Sequence, residues 1–514
     1  MAEIEHLPVV SGDAPHTELS SEAIPSSLVD ASDPGVEETP LPKLQLFILL
    51  YLQLAEPITS TVIYPFVNQL VRETGITGGD ERKTGYFAGL IESCFYAVEA
   101  ICVLQWGRLS DRIGRKPVLL GGALGLTVSM LGFGVSRQYW AIVLSRCAEG
   151  ALNGNIGVTK SMMAEITDHT NRARGFAFLP MIWSVGGTLG PVIGGVFARP
   201  ADRWPGFRDS AFWRSYPYFL PCIIVACISV SAFVLASIGL KEVSDEVCSA
   251  KGATNGMQTL PRHPHLQSKD PEPAPIDLEK TSPTEQDKVS TCDEGPVGLP
   301  SIMVPRVLYP ILNYGFLALI DQSVTVLVPL MYSTSIDIGG LGFDPFTIGI
   351  IQGVGGFVGG IIQIFTFPYM HRKLGSKKLY ICSYSMYFVI FALFPLNSFV
   401  TKRAGEAAAA TWALVVVQYV VYVASYMTWG CIFIYISDAA PNKKALGLTN
   451  GLAQTTASTV RAIAPSLASS LFAVTLQHRL AAGTLVYWVL CGITLAGLVA
   501  TRWLPATLRM EGAK

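Results

Sequence analysis

Residues 106–117 read W-G-R-L-S-D-R-I-G-R-K-P, a turn set between two apolar runs that cover 84–106 and 117–135. Arg108, Arg112, Arg115 and Lys116 crowd around Asp111, with Gly107 and Gly114 among them. A positively charged membrane anchor accounts for the bases, but it needs neither the glycines nor the aspartate. Each flanking run is long enough for a helix to cross a hydrocarbon core about 30 Å thick, which takes roughly 20 mostly apolar residues. The turn therefore reads as a short loop between two membrane helices.

Working outward, ten more apolar runs appear, at 44–70, 139–163, 174–197, 216–240, 307–331, 346–370, 379–400, 411–436, 447–474 and 484–504. Pro57, Pro65, Pro180, Pro191, Pro368 and Pro465 interrupt four of them. The pattern predicts kinks there, because neighbouring helices can cover the freed carbonyls. Half of the residues are hydrophobic, only 15% are Asp, Glu, Lys or Arg, and mean hydropathy is +0.41. Soluble domains carry about 25% charged residues, so a water-soluble enzyme is excluded. The 37 Lys and Arg residues nearly cancel the 38 Asp and Glu residues, so no basic surplus marks a nucleic-acid partner. Cys94, Cys102, Cys147, Cys222, Cys227, Cys382, Cys431 and Cys491 sit in apolar runs without disulfide spacing and read as small buried hydrophobes. Glu3 and Glu5 precede any base up to Lys43, which does not suit a signal peptide, so the first span is expected to direct insertion.

Two stretches lack the apolar content to offset the ordering of the chain. Residues 1–42 are acidic and rich in Ser, Pro and Glu, and 241–300 hold eight prolines and no Phe, Trp or Tyr. The expected organisation is a disordered cytosolic tail (1–42), a six-helix half (43–240), a disordered cytosolic loop (241–302), a second six-helix half (303–505) and a short cytosolic tail (506–514). Internal similarity supports the division. I-T-D-H-T-N-R-A-R-G from Ile166 and I-S-D-A-A-P-N-K-K-A-L-G from Ile436 close the fourth and tenth spans, with Asp168 and Asp438 in matching places. Parallel halves with a site between them near the midplane form a transporter architecture, all-α and multi-pass.

Ionisable residues at membrane depth cost about 2.5–3.5 kcal/mol each at a helix centre, so their presence points to a use. Glu56 and Asp321 lie near the middle of the first helix of each half, and Glu92 and Glu99, seven apart, share one face of the second span. Arg146, Gly150, Asn153, Gly154 and Lys160 line one side of the fourth span, and Arg461 shares a face of the eleventh with Gln454, Ser458 and Pro465. Tyr51, Gln53, Tyr64, Asn68, Trp183, Tyr314, Gln322, Gln352 and Trp429 are candidates for an amphipathic cavity wall. For each acid, a proton or substrate site and a structural interhelical hydrogen bond both remain open. Gly186, Gly190 and Gly194 recur every four residues, a flat face for close helix approach, with Pro191 and Gly195 beside them.

The 107–116 run resembles the G-x-L-x-D-R-x-G-R-K signature of the major facilitator superfamily. That resemblance implies twelve transmembrane helices in two six-helix halves, with this loop on the cytosolic side and both termini with it. It also implies a conformational latch. Asp111 would face the positive N-terminal end of a neighbouring helix, while Arg112 and Arg115 reach nearby carboxylates, with Glu165 and Arg172 as partners. Its counterpart, H-R-K-L-G-S-K-K from His371 to Lys378, has a glycine and bases but no acid. The 186–195 run resembles the G-x-x-x-G-P-x-x-G-G of proton-coupled exporters in this superfamily. Arg146 and Gly150 resemble an R-x-x-x-G in which the arginine opposes protonation of a nearby acid, here one of Glu56, Glu92, Glu99 or Asp321.

W-G-x3-D-R, the A-E-P-I of Ala55 to Ile58 and the N-G-N-I-G-V-x-K-S-M beginning at Asn153 resemble the branch of plant zinc-induced facilitators and their fungal relatives. This implies a monomeric, proton-coupled efflux carrier of small organic compounds, in the plasma membrane more than the vacuolar one. An importer of a nutrient or metal complex and a solute receptor that does not transport are the alternatives. Few residues follow Pro505, where a receptor would carry a long tail. Leu240, Lys241 and Glu242 stand where a sugar carrier has an acid-Ser-Pro-Arg run. His263 and His265, with Cys248 and Cys292, lack the spacing of a tetrahedral zinc site, and no cofactor is expected. No G-x4-G-K-[ST] supplies ATP drive, so energy is expected from an ion or solute gradient.

Overall fold

The apolar runs become helices. The computed structural model describes residues 39–167, 171–242, 302–441 and 446–505, and no strand occurs among them. The acidic tail, most of the central loop with His263, His265, Cys248 and Cys292, Asp168, and residues 506–514 lie outside the described residues, as do the side chains of Asp111 and Arg172. The first half contains α1 (Lys43–Thr61), α2 (Val67–Glu73), α3 (Thr84–Ile113), α4 (Arg115–Val135), α5 (Tyr139–Leu152), α6 (Asn155–Ile166) and α7 (Arg172–Phe197). Three short helices, α8 (Pro200–Arg203), α9 (Pro205–Arg208) and α10 (Ala211–Ser215), lead into α11 (Phe219–Gly239). The second half contains α12 (Pro305–Ser333), α13 (Pro345–Ala404), α14 (Ala409–Ser425), α15 (Met427–Ala439), α16 (Leu446–Gln477) and α17 (Leu485–Ala500). Among the described residues, eight helices are long and apolar enough to cross a membrane.

The repeat between the halves is visible in the backbone. α3 passes into α4 through Gly114, at φ 97° and ψ 163°, and α13 turns in the same way at Gly375, at φ 72° and ψ 165°. This region of conformational space is essentially restricted to glycine. The apolar runs 346–370 and 379–400 thus fall in one element divided at its glycine.

Five of the six interrupting prolines, Pro57, Pro180, Pro191, Pro368 and Pro465, lie inside continuous helices. Pro65 does more than kink its span. α1 stops at Thr61, and the chain turns through Tyr64 N–H to Thr61 O (3.2 Å) and Phe66 N–H to Ile63 O (3.0 Å) before α2 begins. Proline has no N–H for the ladder, and its ring crowds the carbonyl four residues back. The fourth span also breaks, at Asn153 and Gly154, where Asn153 leaves the helical region at φ −80° and ψ 70°. The indole N–H of Trp106 donates to Ala151 O at 2.7 Å, occupying a carbonyl near that break.

Each half packs its own core. In the second half it is one cluster built around Tyr332, Tyr384, Phe391 and Tyr435. The first half has two. Leu46–Leu52, Val118, Leu119 and Met162 form one near the 106–117 turn, and Ile58–Val71, Met130, Phe133 and Ile142 form the other toward the far end. Along α1 and along α5–α6 the polar residues fall between the two clusters. Of the eight described cysteines only Cys222 and Cys431 are buried, while Cys227 and Cys382 are exposed, because a helix hydrophobic all round also presents apolar residues to lipid.

Hydrogen bonds join the halves at the far end and down to mid-depth. Arg72 donates to Ser333 O (3.0 Å), Arg203 to Asp344 (2.8 Å), Tyr86 to Gln477 (3.0 Å) and Ser466 N–H to Ser93 (3.0 Å), and Ser335 donates through both its N–H and its hydroxyl to Glu81. Glycines allow the approach. A Cβ on Gly89 would meet Ser469, and one on Gly195 would lie 2.8 Å from Gly349 Cα. Gly186, Gly190 and Gly194 face α1, where a Cβ would collide with Pro57, Thr61 and the Val62 carbonyl in turn, whereas Gly187 faces open space. Overpacking of this kind costs about 1–3 kcal/mol. Gly194→Val is therefore expected to lower the apparent melting temperature of the detergent-solubilised chain, and Gly187→Val to leave it unchanged; thermal unfolding of the two variants side by side checks this.

Candidate functional site

Between the two apolar clusters of the first half lies a polar layer. α1 contributes Gln53 and Glu56, α3 contributes Glu92 and Glu99, α5 contributes Arg146 and Glu149, and the break after α5 contributes Asn153; none is more than 8% exposed. They sort into two groups. Arg146 donates to Glu149 at 2.7 Å and to Glu92 at 3.3 Å, with its guanidinium 4.5 Å from the Phe95 ring centroid. Two carboxylates and an aromatic face offset the desolvation of a cation that water does not reach. In the second group one amide holds two acids: Asn153 Nδ2 donates to Glu56 at 3.1 Å and to Glu99 at 3.0 Å, and Gln53 donates to the other oxygen of Glu56 at 2.6 Å. The break at Asn153 lets this side chain reach both helices.

Across from this layer the second half brings Asp321 on α12, which accepts from Tyr387 at 2.9 Å and Tyr422 at 3.4 Å. Arg461 of α16 lies 5.7 Å from the Trp429 ring, which meets Tyr314 edge-on at 5.7 Å. Arg461 and Lys160 are both within electrostatic range of Glu56, and Arg461 also of Glu99 and Asp321. Glu56, Glu99, Asn153, Asp321 and Arg461 therefore converge on one region between the halves. Arg146 is engaged by Glu92 and Glu149 instead. Gln454 is half-buried, Gln322 is buried beside Asp321, and Tyr51 pairs with Ser231 on α11 at 2.7 Å.

At the 106–117 turn a different acid caps the helix. The N–H groups of Arg115 and Lys116, the first of α4, donate to the two oxygens of Glu242 at 2.8 and 2.9 Å, and a Cβ on Gly114 would sit 3.0 Å from that carboxylate. A carboxylate at a helix N-terminus satisfies unpaired N–H groups and meets the positive end of the helix dipole. Arg115 also donates to Glu165 at 3.0 Å and to Ser110 at 2.6 Å, while Arg112 is exposed. In the second half Lys377 donates to Leu504 O at 2.6 Å, so there the residues after the last span again contact the turn, without an acid. Sequence reasoning passed over the roles of Glu149, Glu242, Tyr387 and Tyr422. Glu149 stands three residues after Arg146, a spacing that places both on one helix face. Glu242 is 127 residues from Arg115, and no local pattern links them.

A family model described as the Major Facilitator Superfamily matches residues 49–465. This chain belongs to the Major Facilitator Superfamily. It is 29% identical over 474 residues to "Major facilitator-type transporter psiT2" of Psilocybe cyanescens, covering 90% of each chain. It is 28% identical to "Efflux pump azaK" of Aspergillus niger, over 90% of this chain and 88% of the relative. With "Protein ZINC INDUCED FACILITATOR-LIKE 1" of Arabidopsis thaliana identity is 27%, over 89% and 90%. Among solved structures, a D-xylose-proton symporter superposes with a TM-score of 0.64 at 14% identity, over 92% of this chain and all of that one, a likeness of fold. Superfamily membership makes the chain a multi-pass membrane transporter and not an enzyme.

Removing one partner of a buried ion pair strands the other, at a cost of about 3–5 kcal/mol. Arg146→Met is thus expected to lower the apparent melting temperature sharply, and adding Glu92→Gln and Glu149→Gln to recover most of the loss. Thermal unfolding of the single and triple variants in one detergent checks this.

Proposed function

We propose that the chain exports a small organic compound in exchange for protons, by alternating access, as a monomer of twelve spans in the plasma membrane with both termini cytosolic. The observation that carries the reading is the Asn153 amide holding Glu56 and Glu99 together at a helix break between the halves. Two acids held by an amide accommodate a proton or a substrate cation, but each occupant weakens the other's electrostatic attraction. Such competition is what an exchanger needs. Around them, Glu56, Glu92, Glu99, Glu149 and Asp321 outnumber Arg146, Lys160 and Arg461 by two, so proton binding brings the layer toward neutrality.

In this orientation the 106–117 turn faces the cytosol and the hydrogen-bonded far end faces outward. The latch would couple the two: Glu242 and Glu165 tie Arg115 and the start of α4 to the ends of α11 and α6. Motion of the halves that opens the far end must part Arg203 from Asp344 and Glu81 from Ser335. The similarity to a relative named as an efflux pump supports the outward direction.

The test is flux in liposomes holding the full chain under an imposed pH gradient, with a panel of lipophilic amines, zwitterions and organic acids. Movement of a solute against the proton gradient is expected. Glu56→Gln and Glu99→Gln should each reduce gradient-driven movement at least about tenfold, since removing charge-assisted contacts of this kind costs about 1.5–3 kcal/mol. Solute moving together with protons, or binding without flux, would contradict the proposal.

A further inference from the structure

Two cations of the polar layer are left over by the pairing of the others. Lys160 stands on α6 beyond the break, and Arg461 on α16 in the opposite half; both are half-buried, and among the described residues neither forms an ion pair or donates a hydrogen bond. They lie within electrostatic range of each other and of Glu56. Unpaired charge at membrane depth is costly, and here carboxylates of opposite sign stand nearby without closing on it. Gln53 and Asn153 engage the two oxygens of Glu56, and Asn153 one oxygen of Glu99, so these acids are held by amides and not by the cations. The region between the halves thus presents separated negative and positive poles, with Trp429 against Arg461 and Tyr314 edge-on to Trp429 beside the positive one.

A simple cation entering this space meets Lys160 and Arg461, and a simple anion meets Glu56 and Glu99. A molecule carrying both charges matches both poles. We propose that Lys160 and Arg461 form a subsite for an acidic group, so that the transported compound is zwitterionic, with its acid on these two cations, its ammonium on Glu56 and Glu99, and its apolar body against Trp429 and Tyr314. The inference rests on the exchange reading above, in which the ammonium takes the place of the proton on Glu56 and Glu99.

Four probes separate the charges: 2-naphthylalanine, its methyl ester, its N-acetyl derivative, and the N-acetyl methyl ester. Equilibrium dialysis against the purified full chain is expected to show naphthylalanine bound at least about tenfold more tightly than either singly charged derivative, as charge-assisted hydrogen bonds would require. Lys160→Gln and Arg461→Gln should each erase the preference for acid over ester and leave the preference for amine over N-acetyl, which also shows that the variants fold. Lys160→Arg and Arg461→Lys should restore it. Acid and ester binding alike, an acid preference that survives both glutamine substitutions, or equal behaviour of all four probes, bound or unbound, would overturn the subsite. An acid preference with naphthylalanine flux indifferent to the pH gradient would keep the subsite and remove proton exchange.

Discussion

One side-chain amide, that of Asn153, organises the interior of this transporter. It donates to Glu56 on α1 and Glu99 on α3 at nearly equal distances, and it does so from a residue that belongs to neither flanking helix. Had the fourth span continued unbroken, this residue would be fixed by the helical repeat. The interruption costs backbone hydrogen bonds, partly recovered where Trp106 takes up the Ala151 carbonyl. In return a polar group stands where two helices and the opposite half meet, which is where membrane transporters place discontinuous helices.

The surrounding structure divides the work. Arg146 with Glu92 and Glu149 forms an ionic group in which every charge has a partner, and it ties α3 to α5. The open group, Glu56 and Glu99 with Lys160, Arg461 and Asp321, faces the space between halves. Glycines let backbones approach closely, α7 to α1 within the first half, and α7 to α13 and α3 to α16 between the halves. At the far end, the bonds that join the halves are polar: Arg72 to Ser333 O, Arg203 to Asp344, Tyr86 to Gln477 and Ser335 to Glu81.

Much of this was legible in the chain. Hydropathy located most of the helical stretches to within a few residues, and the glycines at 186, 190 and 194 announced a packing face. The acids Glu56 and Glu99 stood out because charge at depth is costly. What stayed hidden has physical reasons. The break at Asn153 falls on Asn153-Gly154-Asn155, where the Asn-Gly turn signal was outweighed by the apolar residues on either side. Pro65 read as a kink because proline within a membrane helix usually bends it, whereas here the next turn closes in three-residue steps before α2 starts afresh. Arg146 was linked to four acids, of which the structure pairs it with Glu92 alone, since sequence spacing cannot rank partners on different helices; its other partner, Glu149 at i+3, was open to prediction and passed over. Glu242 reaches the start of α4 through tertiary folding alone.

Proton exchange at Glu56 and Glu99 is tested most directly by the distance between the halves as pH changes, without any solute. Spin labels at Ile113 and Lys373, beside the two glycine turns and both exposed, in a chain whose native cysteines are replaced, report opening at that end. The expected result is a distance distribution that shifts between acid and alkaline buffer in the otherwise native chain and stays at its acid form throughout in the Glu56→Gln, Glu99→Gln double variant. A distribution that ignores pH in the native chain, or one that still responds in the double variant, would contradict the role given to these two acids.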